Sequence, residues 1–161
     1  MVELQFYKPK DLSELNYELD EIQAQFSALP KQALERIEAR NQNDDFFAYP
    51  ITIFYDGKIV GFCVLDFGDD KFELSDNSAS VLLRSLSVNP EFQGKGIGKS
   101  TMAEIYDFVK EHFKDCNEIV LSVNEKNDLA FQIYLKEGYF YEGKKIDGRN
   151  GPQLVMFKIL V

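Results

Sequence analysis

Histidine and cysteine are scarce in this chain of 161 residues, which carries one of the first and two of the second. The lone His112 leaves a Ser-His-Asp triad and a histidine-rich metal site without the residues they need. Cys63 and Cys116 share no C-x-x-C spacing and sit beside apolar residues, so they read as small buried hydrophobes rather than as a redox or zinc pair, and no metal is expected. No run of 18 apolar residues occurs, and the start, Met1 to Leu12 with Lys8, Pro9 and Lys10, lacks the apolar stretch of a signal peptide, so a cytoplasmic protein is expected. Basic residues are also in deficit, 18 against 27 acidic, for a formal charge of −9. That balance disfavours nucleic acid and anionic membranes, which reward Lys and Arg, and suits a cationic or neutral small substrate; solubility alone also explains it.

What is present is a core. Hydrophobic residues make up 45% of the chain and aromatics 14%, with 14 Phe and 8 Tyr, enough for a globular domain without staples and too much for disorder. No repeat, low-complexity tract or linker divides it, so one domain over 1–161 is expected. Leu12, Leu15, Leu19, Ile22 and Phe26 recur at intervals of three and four and predict a helix over 11–26; a second follows Pro30 to about Asn41. Residues 50–56 and 58–67 flank Asp56-Gly57 as a hairpin. The polar segment 68–78 reads as a loop, and a strand at 80–88 stops before Pro90. A helix from Lys99 to Phe113 with Met102, Ile105, Tyr106, Val109 and Phe113 on one face comes next, then a strand at 118–123. Asn127-Asp128 opens a helix over 127–137 that Gly138 closes. Strands at 139–146 and 153–160 flank the turn Asp147 to Gly151. Hairpins plus one strand–helix–strand crossover give a mixed sheet with helices on both faces.

The informative stretch is 86–100, LSVNPEFQGKGIGKS. A strand ends, proline breaks it, three glycines alternate with Lys95 and Ile97, and a helix begins at once. Glycines admit a ligand close to the backbone, and the unpaired N–H groups of a helix start point at negative charge, so the stretch reads as a phosphate cradle with Lys95 and Lys99 beside it. A Walker A loop needs one more residue between Gly94 and the Gly98-Lys99-Ser100 that would close it. A dinucleotide fingerprint needs G-x-G-x-x-G where Gly94, Gly96 and Gly98 give G-x-G-x-G, and no acidic residue ends a paired strand some 20 residues on.

Gln93, Gly96 and Gly98 fit the pattern Q/R-x-x-G-x-G/A, and Asn127, Ala130, Tyr134 and Gly138 fit N-x-x-A-x-x-x-Y-x-x-x-G-F, with Tyr139 in place of Phe. With both motifs at this separation, the sequence closely resembles the GNAT superfamily of acetyl-CoA-dependent N-acetyltransferases over about residues 50–160. The resemblance implies an α/β (α+β) fold: a twisted, mostly antiparallel sheet of six to seven strands flanked by about four helices. Residues 50–161 would form the sheet and acetyl-CoA site, and 1–49 a helical part walling the acceptor side. It also implies a bulge in the strand before the loop, which splays from the next strand and leaves a gap for the thioester.

Carried over by position, the resemblance implies that Leu86, Ser87 and Val88 bond the pantetheine arm through their backbone. The amides from Gly94 through Lys95, Gly96, Ile97 and Gly98 to Lys99, continuing to Ser100, would hold the pyrophosphate behind Gln93. Asn124, Asn127 and Ala130 would lie along the coenzyme, and Tyr134 would sit beside its sulfur as the acid that protonates the departing thiolate. The Val88 N–H would hold the oxyanion as an amine attacks the acetyl carbonyl directly. One departure stands out: many relatives carry Glu or Asp four residues before the Val88 position, and here that residue is Arg84. It would grip an acceptor carboxylate or simply pair with neighbours, and the base stays open among Asp66, Glu73 and water. The carboxylates of Glu14, Glu18, Asp20 and Glu21 would attract amines, and a solvated helix face explains them equally well. Gly143, Asp147, Gly148 and Gly151-Pro152-Gln153 slightly resemble bacterial diamine and polyamine acetyltransferases without fixing an acceptor. A small primary amine is the expected acceptor; a peptide or protein amine, a non-catalytic coenzyme-binding sensor and a nucleoside-triphosphate hydrolase are the alternatives, with a homodimer left open.

Overall fold

The computed structural model describes residues 1–42 and 47–161, with the Ile22 side chain left out, so the place of Ile22 in the predicted stripe lies outside the described residues. The strands are β1 (Val2–Phe6), β2 (Ala48–Tyr55), β3 (Lys58–Asp66), β4 (Ser80–Val88), β5 (Glu118–Asn124), β6 (Phe140–Gly148) and β7 (Gly151–Ile159). The α-helices among the described residues are α1 (Glu21–Phe26), α2 (Pro30–Arg40), α3 (Ile97–His112) and α4 (Asp128–Lys136). One sheet holds all seven strands in the order β1-β2-β3-β4-β5-β7-β6. Every neighbouring pair is antiparallel except β4 and β5, which are parallel and joined by the α3 crossover that parallel strands require. The mixed, mostly antiparallel sheet is the one expected.

The Asp56-Gly57 pair turns the β2–β3 hairpin with both φ angles positive, +49° and +81°, as a two-residue turn demands. On one face of the sheet α3 lays Met102, Ile105 and Val109 on Ile51, Cys63, Leu65, Val81, Leu83, Ile119, Leu121 and Met156, all buried. On the other, Ala33 of α2 packs with Leu15, Ala48, Phe62 and Val64. Cys63 is fully buried, as expected of a small hydrophobe, while Cys116 is only half-buried, both as free thiols, and the His112 ring stacks on Phe108 with centroids 4.2 Å apart.

The helix expected after Pro30 is present as α2, but the segment before it departs from expectation. Only α1 and a 3-10 turn at Pro9–Asp11 appear where one helix over 11–26 was predicted. Asp11 explains the break. Its buried carboxylate accepts from the Lys8 N–H at 3.0 Å and from the Thr52 hydroxyl at 2.9 Å, tying a turn to β2 where a helix would have run on. Asp20 restarts the helix by accepting from the Gln23 N–H at 2.8 Å. Leu15 is still buried, delivered by irregular chain rather than by a helical face, while Leu12 is 38% exposed. Residues 1–49 are also not purely helical, because β1 adds an edge strand along β2. The final hairpin turns at Arg149-Asn150, with β6 running to Gly148 and β7 starting at Gly151, a tighter connection than the five-residue turn expected.

One glycine sets the spacing of the middle strands. A Cβ on Gly61 would meet the Ser87 carbonyl oxygen at 2.5 Å and Ile53 Cδ1 at 3.2 Å. Neither strand can retreat without breaking its ladder, so Gly61→Ala is expected to cost about 2–3 kcal/mol, the range of overpacking penalties. Urea denaturation checks this, and a midpoint equal to that of the native chain would show that β3 and β4 can part more freely than their packing implies.

Candidate active site

β4 departs from regular pairing twice. Val64 stands opposite Arg84 and Phe62 opposite Ser87, so two residues of β4, Ser85 and Leu86, face the single Cys63 of β3. This is a β-bulge, and Ser85 carries it with φ +56°, an unusual conformation for a residue with a side chain. On its other side β4 pairs with β5 only from Ser80 to Leu82. Both strands continue, β4 to Val88 and β5 to Asn124, so past those three rungs they diverge and leave a gap between them.

The gap leads to the glycine loop. A 3-10 turn at Pro90–Phe92 redirects the chain, Gly94 and Gly96 take φ +78° and +76°, which other residues adopt at a cost, and α3 begins at Ile97. The first helical bond runs from Ser100 N–H to the Gly96 carbonyl at 3.1 Å. The N–H groups of Gly96, Ile97, Gly98 and Lys99 therefore have no partner in the helix, and no side chain caps this end. Asp20 and Asn127 do cap α1 and α4. Gly98 has ordinary helical φ, and a Cβ there would meet nothing within 4 Å; the protein itself does not require glycine at this position. Free N–H groups, the positive end of a 16-residue helix and open space make an anion cradle. Lys95 Nζ lies 5.5 Å from the Phe92 ring, and Gln93 Nε2 donates to the Val88 carbonyl at 3.4 Å.

Tyr134 stands on α4, with its ring in the cluster that holds Cys63 and Leu86, the residues at the bulge. Burial pushes its phenol up to about 12, and the Cys63 thiol adds to the rise. Ala130 packs against the same cluster one turn earlier. Asn127 caps α4 by accepting from the Ala130 N–H at 3.3 Å. Asn124 closes β5, accepting from the Lys126 N–H at 2.9 Å and donating to the Asn150 carbonyl at 3.0 Å.

Arg84 is engaged by the protein. Its Nη1 lies 2.8 Å from Asp70 and 3.2 Å from Asp66, and Arg40 reaches the same carboxylates at 2.9 and 3.7 Å. Two guanidiniums and two carboxylates join α2, the end of β3, the following 3-10 turn and β4. Burial alone would raise the Asp70 carboxyl, but hydrogen bonds and charge from Arg84 and Arg40 outweigh it and hold the group below the usual carboxylate range. Asp66 is buried with both oxygens in use, Oδ1 accepting from the Gly68 N–H at 2.8 Å and Oδ2 facing Arg84 and Arg40. Glu73 is exposed.

Three groups near β4 had no sequence signal, because each acts through a contact more than fifty residues distant. The Tyr17 hydroxyl lies 2.7 Å from Ser87 Oγ, Ser27 Oγ donates to the Leu86 carbonyl at 2.9 Å, and Gln23 Nε2 donates to the Val88 carbonyl at 3.3 Å.

Residues 12–139 match the model of the Acetyltransferase (GNAT) family. The chain belongs to the GNAT acetyltransferase family. It is an acetyl-CoA-dependent N-acetyltransferase. It is 35% identical over 161 residues to an uncharacterized N-acetyltransferase, YbbJ, of Bacillus subtilis, covering 99% of this chain and 98% of that one. Its fold is similar to that of the aminoglycoside acetyltransferase AAC(6')-Ib in complex with coenzyme A and kanamycin, with TM-score 0.76 and 16% identity over 99% of this chain and 95% of that one. It is also similar to that of spermidine N-acetyltransferase from Vibrio cholerae in complex with CoA and spermine, with TM-score 0.70 and 18% identity, again over 99% and 95%. The acetyl donor is acetyl-CoA, and no cluster of metal-binding side chains occurs among the described residues. No helix among them is long and apolar enough to cross a membrane.

Proposed function

We propose that this GNAT acetyltransferase moves the acetyl group of acetyl-CoA to a primary amine of a small molecule by direct attack within a ternary complex. The observation that carries the reading is the continuity of the β4–β5 gap with the uncapped start of α3. The α3 N–H groups would hold the diphosphate, with Lys95 and Lys99 adding charge, and the backbone from Leu86 to Val88 would guide the pantetheine arm. The Val88 N–H would hold the developing oxyanion, a donor fixed before reaction, and Tyr134 would return a proton to the thiolate. The whole of 1–161 reads as one catalytic domain, with Tyr17 to α2 walling the acceptor side.

The net charge of −9 and the exposed Glu14, Glu18, Asp20 and Glu21 on that wall favour a cationic acceptor. Spermine and kanamycin, each carrying several amines, accompany the two similar structures. With Arg84, Asp66 and Asp70 held in ion pairs, the carboxylates beside β4 are poorly placed to take the amine proton. Water does so instead, and deprotonating an alkylamine of pKa about 10.4 costs about 4–5 kcal/mol at neutral pH.

Release of free thiol from acetyl-CoA with spermidine, spermine, an aminoglycoside, amino acids and peptides tests the reading. Turnover with the small polyamines is expected, rising with pH toward the pKa of the acceptor amine. Turnover on peptides alone would assign a protein acetyltransferase, and tight coenzyme binding with no turnover on any amine would assign a sensor.

A further inference from the structure

The short helix α1 is attached to the site in an unusual way. None of its described side chains is buried, and polar contacts tie it to β4 and to the β6–β7 turn. Ser27, just past its end, donates to the Leu86 carbonyl at 2.9 Å, and Gln23 donates to the Val88 carbonyl at 3.3 Å. From the opposite side, Asn150 in the β6–β7 turn donates its amide to the Gln25 carbonyl.

The direction of the two β4 carbonyls matters. Asn89 N–H donates to the Val60 carbonyl at 2.7 Å, and the register sets Val88 opposite Gly61 and Ser87 opposite Phe62. Along an antiparallel strand the backbone groups of alternate residues turn to the same side. Asn89 and Ser87 therefore face β3, while Val88 and Leu86 face away from it. That side is the gap, where β5 has already diverged beyond Leu82. Leu86 and Val88 thus present strand acceptors with no strand to satisfy them; Ser27 reaches the first, and Gln23 reaches the second, which it shares with Gln93 Nε2 at 3.4 Å.

We propose that α1 is a self-docked plug of the coenzyme channel: Gln23 and Ser27 supply, from within the chain, the donors that the pantetheine amides would bring to Val88 and Leu86. This rests on the reading of the β4 end given under Proposed function. The docked helix and the coenzyme arm then exclude one another, and coenzyme entry lifts α1, carrying the acidic wall of Asp20 and Glu21 with it. The acceptor side is remodelled whenever coenzyme binds, by exchange of one set of hydrogen bonds for an equivalent set. None of its described side chains is buried, so lifting α1 bares no described core residue of its own.

Calorimetry with two ligands tests this. Coenzyme A carries the pantetheine arm; 3′-phosphoadenosine 5′-diphosphate carries only the part that the glycine loop would grip. In the double variant Gln23→Ala/Ser27→Ala, coenzyme A is expected to bind about tenfold tighter than in the native chain, since two neutral hydrogen bonds no longer oppose it. The nucleotide is expected to bind both chains equally, which also reports that the variant is folded. Amide exchange in α1 of the native chain should speed up on adding coenzyme A and stay the same with the nucleotide. Unchanged or weaker coenzyme A binding in the variant overturns the plug, as does an equal gain for both ligands. A native chain that binds neither ligand instead overturns the coenzyme reading of the site, and the plug with it.

Discussion

Replacing Tyr134 by Phe is expected to lower turnover about a hundredfold while leaving the affinity for acetyl-CoA within about twofold, the low end of what positioned proton donors contribute. That loss corresponds to about 2.7 kcal/mol in the barrier. The substitution keeps the ring, and with it the packing against Tyr139 at 6.1 Å and against the cluster around Cys63, so only the hydroxyl is under test. Burial lifting the phenol to about 12 keeps it protonated at every pH an assay would use. This makes it a weaker acid than free tyrosine, but a donor that is always loaded when the thiolate appears. The sign follows directly: ionisation of Tyr134 should produce no falling limb in the rate profile below about pH 11, and whatever limb appears at lower pH belongs to the acceptor. Steady-state kinetics with thiol detection, paired with calorimetry for coenzyme A, separates the two effects. Undiminished turnover in the Phe variant would remove Tyr134 from the chemistry and leave it a packing residue.

Gly98→Asp is expected to have opposite effects on stability and on binding. A Cβ at Gly98 would meet nothing within 4 Å beyond its own stretch of helix, while a carboxylate in the first turn of α3 complements the helix dipole. The melting temperature should therefore hold or rise slightly. The same carboxylate would stand where the diphosphate has to come, and two like charges about 4 Å apart repel by up to a few kcal/mol near a protein surface. The KM for acetyl-CoA should rise at least a hundredfold. A normal KM would mean that the start of α3 does not hold the coenzyme; a collapsed melting temperature would mean that Gly98 serves the fold after all.

From β2 onward the chain was legible because its elements are specified locally. Asp56-Gly57 dictates a hairpin, the spacing of Met102, Ile105 and Val109 dictates the buried face of α3, and Asn127 with Gly138 brackets α4. The glycine loop was legible for the same reason, since its chemistry resides in backbone groups that the spacing of Gly94, Gly96 and Gly98 exposes. The N-terminal region was not. The apolar spacing over 11–26 does not become one helical face, because Asp11 spends its carboxylate on the Lys8 N–H and on Thr52, 41 residues away, a contact that no local pattern announces. β1 left a faint trace in the alternation of Val2, Leu4 and Phe6. The pairing of Arg84 with Asp66 and Asp70, and the grip of Tyr17, Gln23 and Ser27 on β4, arise only once distant segments meet.

The junction of β4 with β5 has a mechanical side as well. Four strands lie to one side of it and three to the other, and the ladder across it has rungs only at Ser80, Val81 and Leu82 among the described residues, extended at one end by the Asn117 N–H donating to the Ala79 carbonyl at 3.0 Å. What keeps the two panels together is therefore less the ladder than α3, whose Met102, Ile105 and Val109 lie across strands of both and clasp the seam from one face.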